Sequence, residues 1–456
     1  MILIFRFEEL KAKKIHMIGI GGSGMYPLAQ ILLSEGYQLT GSDNNPSYTL
    51  DSVIKMGVQV FMGHHPENIG EDIELVVHTA AVFEDNPELV EARRRGIPTM
   101  ERSVLLGIVA NSFDDTVAVC GTHGKTTSTA MLTEVLVKGG KDPSAVIGGK
   151  LASIGGSGRV GGGEYMSCEA CEFRDTFLQI KPAHSLILNV DEDHLEYFKT
   201  LDNIINSFAK FAAQTRKTVI VNGDDANSLE ALKRSQTAAK ALLFGTGENC
   251  EHRGVNLSEE GSRFSYDYYI RGQLQGRVTL SVPGRHNVLN SLGVLAAAEI
   301  CGVDVQIAMK AVSAFGGAGR RFEKRGEFDG ITVVDDYAHN PTELSVTLAA
   351  AKKMGYQRVV AVFQPFTFSR TSLMLKEFGK ALSIADLTIL MPISGAREVN
   401  TYGISSADLA ALIPDCVQTD GFESTARAIK EHCKPGDLVL TLGCGDVYKV
   451  IPMLGI

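Results

Sequence analysis

Thr116-Val117-Ala118-Val119-Cys120-Gly121-Thr122-His123-Gly124-Lys125-Thr126-Thr127 runs from an apolar strand into a glycine-bearing turn, and Ala130, Met131, Leu132 and Val135 behind it mark a helix. Strand, turn and helix in that order make a βα unit. The turn offers backbone amides to phosphates, Lys125 can reach the outer phosphates, and the Thr126 hydroxyl is placed to ligate Mg2+. Val119 stands where the strict G-x-x-x-x-G-K-[ST] pattern has its first glycine. The competing reading is a Gly-Lys-Thr helix entry that arose by chance.

Upstream, residues 15 to 20 read as a second buried strand, and Gly19-Ile20-Gly21-Gly22-Ser23-Gly24 fits G-x-G-x-x-G before the helical pattern Tyr26 to Leu33, which ends at Gly36. Another strand, Gln38 to Gly41, follows, and Asp43 lies 19 residues after Gly24 (43 − 24). Such a turn brings amides to a pyrophosphate at a helix N-terminus, and an acid at that distance suits ribose hydroxyls. The requirement is a nucleotide diphosphate; nicotinamide is not required, since a UDP-linked ligand offers the same groups. A tight turn without a ligand is the alternative. A helical stretch from Asp51 to Met56 and a strand at Leu75 to Val77 continue the alternation that implies a parallel sheet.

With 456 residues the chain exceeds one core of ordinary size, and an α/β protein of three domains is expected: residues 1–112, 113–318 and 319–456. The polar run Asn111 to Asp115 and the cluster Gly316 to Arg321 mark the boundaries. The third series has expected strands at Ile331 to Val334, Arg358 to Phe363, Leu387 to Met391 and Leu438 to Leu442. Residues 262–282 alternate polar and apolar, as a small antiparallel sheet appended to the central domain would.

A net charge of -9 and a pI near 5.7 give no overall field for nucleic acid or an anionic membrane. No apolar run approaches the roughly 18 residues of a membrane helix. The apolar start Met1 to Phe5 is broken by Arg6 and Glu8-Glu9 without a small-residue cleavage site, so a cytoplasmic protein is expected, a monomer or weak homodimer. Eight scattered cysteines read as free thiols. Cys168 and Cys171 form a lone C-x-x-C that lacks the second pair of a zinc site, and incidental thiols are favoured over redox or zinc chemistry.

Glu169 lies near the end of the strand-like Tyr165 to Cys168, and His194 follows the apolar stretch Ser185 to Val190 through Asp191-Glu192-Asp193. Both positions suit strand C-termini, the ligand edge of an open α/β sheet. Thr126 and Glu169 are oxygen ligands of the kind Mg2+ prefers, and His194 is a less usual one. Taken alone, Asp191 to His194 equally suits a solvated turn.

Together with later segments, these motifs resemble the Mur ligases over nearly the whole chain. The similarity lies in Ile15 to Met25, Gly41-Ser42-Asp43, Gly121 to Thr127, Asn189 to His194, Gly284-Arg285-His286-Asn287-Val288-Leu289-Asn290, Gly319-Arg320-Arg321-Phe322 and Asp335-Asp336-Tyr337-Ala338-His339-Asn340-Pro341. The resemblance implies a Rossmann-like UDP-binding domain, a central ATP-binding domain and a Rossmann-like ligase domain. It implies UDP-sugar contacts from Gly21, Gly22, Ser23, Gly24, Met25, Asp43 and Arg370. ATP contacts are implied for Gly121, Thr122, His123, Gly124, Lys125, Thr126, Thr127, His286, Asn287, Asn290 and Arg321, and metal ligation for Thr126, Glu169 and His194. Tyr337 and His339 are implied beside the incoming amino acid, with Lys125, Glu169, His194 and His339 in the chemistry. The implied reaction joins L-alanine to the carboxylate of UDP-N-acetylmuramate through an acyl phosphate, with ATP and Mg2+. Three features depart from the family pattern: Phe366, where histidine is usual, the run Cys168 to Glu172, and Gly443-Cys444-Gly445-Asp446. The alternatives are a recycling ligase that joins a peptide, a nicotinamide-dependent oxidoreductase, which leaves Gly121 to Thr127 unexplained, and a binding protein that has lost turnover.

Overall fold

The computed structural model describes residues 10–396 and 398–456, apart from the side chain of Glu196; the apolar start Met1 to Phe5 lies outside the described residues. Three sheets follow one another along the chain. The first has five parallel strands in the spatial order Gln59–Met62, Gln38–Asp43, Lys14–Ile18, Leu75–His78 and Thr99–Glu101. Its central strand, with Ile15, Met17 and Ile18 fully buried, carries the first glycine turn at its carboxyl end. The helix Tyr26–Ser34 leaves that turn with Pro27 in its first turn, where a missing N–H does no harm.

Ten strands make the second sheet, in the order Gln273–Thr279, Arg263–Ile270, His252–Glu260, Lys240–Gly245, Thr218–Asn222, His184–Ile187, Asp115–Cys120, Tyr165–Glu169, Ser144–Leu151 and Gly156–Arg159. The expected strand at Ser185 to Val190 ends at Ile187, because beyond it the chain folds over the second glycine loop: Asn189 O accepts from Thr122 N at 3.1 Å. As expected, residues 262–282 hold an antiparallel pair, Arg263–Ile270 against Gln273–Thr279, and it is appended to the main sheet beyond His252–Glu260, which joins that sheet through the parallel pairs Phe244↔His252 and Gly245↔Arg253. The third sheet runs Glu323–Phe328, Ile331–Asp336, Leu438–Leu442, Val359–Phe363, Leu387–Leu390 and Cys416–Gln418, parallel except for its first pair.

By contacts the chain forms two compact units. The first takes residues up to Leu257, Ser265–Leu280 and His286–Ala318; the second takes Ser258–Phe264, Ser281–Arg285 and Gly319–Ile456. The first two sheets thus share a unit. Tyr48 donates to Gly155 O at 2.7 Å and Ser157 to Ser23 O at 3.0 Å, so the first glycine turn rests on the edge of the second sheet. A Cβ on Gly158 would lie 2.4 Å from Gln30 Oε1 and 2.7 Å from Pro27 Cα, which explains glycine at that close approach. In the polar run 111–115, Phe113 is buried, and Arg216 donates to the carbonyls of Phe113 and Asp114.

Glu88 holds the first sheet's polar interior. Its side chain is fully buried; Ser42 Oγ donates to it at 2.6 Å, Asn68 Nδ2 at 2.5 Å, and His64 Nδ1 lies 3.2 Å away. His16 Nε2, at 3.7 Å, is at ion-pair rather than hydrogen-bond range. Burial alone would raise the Glu88 carboxyl, but His16, His64, Ser42 and Asn68 together hold it far below its ordinary 4.5. A depressed carboxyl stabilises the fold fully above its unfolded pKa, and that contribution is lost as pH falls below about 4.5 toward the folded value. Glu88→Gln is therefore expected to lose about 1–3 kcal/mol at pH 7 and to show a flatter acid limb than the parent in urea titrations from pH 7 to 3. Equal midpoints and equal acid slopes would contradict this.

Candidate active site

The loop Gly121 to Thr127 follows the strand Asp115–Cys120, and the helix Lys125–Lys138 starts within it. Gly124 is the N-cap in the left-handed region, φ 87°, and a Cβ there would meet Asn290 Oδ1 at 2.6 Å, so both the backbone and the neighbour demand glycine. Asn189 clamps the loop: its Oδ1 accepts from His123 N at 2.8 Å and its Nδ2 donates to His123 O at 3.0 Å. Thr122 Oγ1 accepts from Asp191 N at 2.9 Å. With no acidic side chain in its first turn, the helix keeps its N-terminal amides and partial positive charge for an anion.

Two carboxylates meet the loop from the adjacent strand end. Thr126 Oγ1 donates to Glu169 Oε2 at 2.8 Å, and Gly148 N donates to the same oxygen at 2.9 Å. Glu169 Oε1 accepts no hydrogen bond among the described residues. A hydroxyl beside a carboxylate with an unused oxygen is a donor set that fits Mg2+, which completes its shell with water and phosphate oxygens. No group of three or more His, Cys, Asp or Glu side chains that could hold a metal occurs among the described residues. His194 sits at φ 52° with its ring 4.6 Å from that of Phe173 and its Nε2 4.0 Å from Asp193 Oδ2.

The second carboxylate is Glu172, which sequence reasoning passed over as part of a divergent run. Lys125 Nζ lies 3.1 Å from its Oε1 and 2.9 Å from its Oε2, and donates also to Gly121 O at 2.7 Å and Thr122 O at 3.1 Å. Burial would lower the Lys125 pKa, but the charges of Glu172, Cys171 and Glu169 outweigh it and push it above its ordinary value, so the ammonium stays charged. Cys168 and Cys171 are free thiols whose pKa values burial pushes up to about 12 and about 11. That is opposite to the depressed value a redox thiol needs.

At the first glycine turn, Asp43 braces the loop: Oδ2 accepts from Gly21 N at 3.0 Å and Oδ1 from Asn45 N at 3.0 Å. Ser42 O accepts from Gly19 N and Ile20 N. Gly22 and Ser23 are exposed, Gly24 is half-buried beside Arg102, and Met25 is buried. His286, Asn287 and Asn290 open the helix His286–Ile300, and Asn290 Nδ2 donates to Asn287 Oδ1 at 2.9 Å while facing Gly124.

In the second unit, Asp335 and Asp336 are the last two residues of the strand Ile331–Asp336, and both are buried. Asp335 pairs with Arg320 at 2.9 Å and accepts from Thr441 at 2.7 Å; Asp336 accepts from the amides of Phe322 and Ala338, and burial pushes its pKa up to about 6. The cluster that remains outside the strand is Arg321, Tyr337 and His339. Arg321 lies 5.0 Å over the Tyr337 ring, and the rings of Tyr337 and His339 are 5.5 Å apart. His339 Nδ1 is 3.0 Å from Tyr337 O and 3.1 Å from Glu343 Oε2. Both neighbours are acceptors, which assigns the ring donor to Nδ1 and leaves Nε2 as the ring acceptor. Arg370 is half-buried in the helix Phe368–Leu373, capped by Thr367. Phe366 bridges to Ser394.

Three family descriptions match the chain in succession: Mur ligase family, catalytic domain, over residues 14–114; Mur ligase middle domain over 119–298; and Mur ligase, glutamate ligase domain, over 320–445. UDP-N-acetylmuramate–L-alanine ligases of Caldanaerobacter subterraneus and Lachnospira eligens are 42% and 43% identical to it, each match covering 96% of both chains. The crystal structure of a UDP-N-acetylmuramate–alanine ligase from Thermotoga maritima superposes with a TM-score of 0.83 at 28% identity, covering 97% of this chain and 98% of that one. Three α/β sheets in this order, two glycine loops at strand ends and similarity along the full length lead to one conclusion: the chain belongs to the Mur ligase family.

Proposed function

We propose that the protein joins L-alanine to the carboxylate of UDP-N-acetylmuramate at the expense of ATP, as a cytoplasmic step of peptidoglycan synthesis. The observation that carries the chemistry is the meeting of Lys125 and Thr126 with Glu172 and Glu169 at the end of the strand Asp115–Cys120. The acceptor and amino acid are supported by the relatives, whose similarity spans the entire catalytic frame.

A carboxylate oxygen of the sugar attacks the γ-phosphorus and ADP departs; the amine then attacks the acyl carbon and phosphate leaves with that oxygen. Lys125 and the amides at the start of its helix offset the charge that spreads over the transferring phosphoryl oxygens. Thr126 and Glu169 would hold Mg2+, which when bound neutralises the outer phosphates. His194 is proposed to support this edge, and His286, Asn287, Asn290 and Arg321 the nucleotide. The turn Gly21 to Met25, braced by Asp43, receives the UDP pyrophosphate, and Arg370 the sugar. His339 Nε2 takes a proton from the incoming ammonium, beside Tyr337. In the proposed division 1–112, 113–318 and 319–456, the first glycine turn, the second glycine loop and His339 fall in successive parts.

Phosphate release with ATP, Mg2+ and UDP-N-acetylmuramate should be fastest with L-alanine among L-alanine, glycine, L-serine and a tripeptide, and absent without the sugar. A preference for the tripeptide would point to peptide recycling instead. Lys125→Ala should lower kcat by about 10²–10³-fold or more, and near-normal kcat would reject the assignment. Gly124→Ala should weaken MgATP binding about tenfold or more, since a left-handed alanine costs about 1–2 kcal/mol before the Asn290 clash is counted. Calorimetry showing unchanged affinity would contradict the loop's role.

A further inference from the structure

Glu172 is 2% exposed, and among the described residues its carboxylate has one side-chain partner, Lys125. The chain just beyond it is held tightly: Arg174 and Asp175 both take positive φ, and Asp175 N donates to Glu172 O at 2.9 Å. The carboxylate therefore has little freedom to follow the lysine elsewhere. An ammonium has three N–H donors, and those of Lys125 go to Gly121 O, Thr122 O and Glu172. To reach a phosphate, Lys125 has to release one of them. Releasing Glu172 would strand a buried carboxylate beside an incoming polyanion, whereas releasing a neutral loop carbonyl strands no charge.

We propose that Glu172 is a positioning residue that stays paired with Lys125 when ATP is bound and fixes where the ammonium points, so that the carbonyl of Gly121 or Thr122 gives way to the phosphate. The proposal rests on the reading of Gly121 to Thr127 as an ATP loop. A lysine tethered in this way is aimed at the place where charge develops during transfer. Released from Glu172, it would settle on the ground-state phosphates and bind ATP as well or better while serving the reaction less. The effect of Glu172 accordingly falls on kcat and not on ATP affinity.

Glu172→Gln keeps the shape and removes the charge; Glu172→Asp keeps the charge at shorter reach. For the full chain and both variants, MgATP binding is measured by calorimetry without other substrates, phosphate release with UDP-N-acetylmuramate and L-alanine, and melting by circular dichroism. Glu172→Gln should bind MgATP within about threefold of the parent or more tightly, with KM for ATP similarly unchanged and kcat lowered about 30-fold or more. Glu172→Asp should recover part of kcat, and its partial recovery decides the matter if the glutamine variant does not fold. The proposal is overturned if kcat of Glu172→Gln stays within about threefold of the parent, or if its MgATP affinity falls as far as that of Lys125→Ala. If the parent releases no phosphate with any acceptor, the acceptor assignment fails on its own. The binding comparison then still decides: retained affinity in Glu172→Gln supports the pairing, and affinity as weak as that of Lys125→Ala refutes it.

Discussion

The parallel register between Asp115–Cys120 and Tyr165–Glu169 is the constraint on which the site depends. Val119 sits opposite Glu169, so the strand that feeds the glycine loop lies beside the strand that delivers the carboxylates. Side chains alternate between the faces of a strand, and a slip of one residue would turn Glu169 to the other face. The register is held because Val117, Ala118, Val119, Met166 and Cys168 are fully buried. Thr133 Oγ1 and Ser167 Oγ, 2.7 Å apart, tie the loop's helix to the same strand. Packing, register and chemistry are one arrangement here.

Around that arrangement, acids and amides brace backbone. Asn189 fixes the second glycine loop, Asp43 fixes the first glycine turn, and Asp225 Oδ2 accepts from the amides of Val190 and Ser228. Each satisfies backbone groups that would otherwise be costly to bury and keeps a loop in one conformation before any ligand arrives. Preorganisation of this kind suits phosphoryl transfer, in which positioning and charge do most of the work.

Much of this was legible in the residues. The strands at both glycine turns, the helix after Lys125 and the later parallel strands announced themselves through apolar runs broken by glycine. Glu169 could be placed beside Thr126 because it ends one strand and Thr126 follows the glycine loop at the end of another. The elements Pro87–Arg94, Thr99–Glu101 and Arg102–Asn111 went unread; the first is largely polar and the second is only three residues long. Burial of charge was not legible either. Nothing in the run Cys168 to Glu172 says which acid faces a cation inside the protein, nor that Asp335 and Asp336 are buried at the end of their strand. Those facts depend on partners distant in sequence, Lys125 for Glu172 and Arg320 for Asp335.

The claim at the centre is that the sugar carboxylate, rather than water or the amine, takes the γ-phosphoryl group at this loop. Turnover with the carboxylate of UDP-N-acetylmuramate labelled with oxygen-18, followed by mass analysis of the released phosphate, tests it directly. An acyl phosphate carries one carboxylate oxygen away with phosphorus, so phosphate bearing a single heavy oxygen is expected in proportion to amide formed. Unlabelled phosphate alongside normal amide formation would contradict the account.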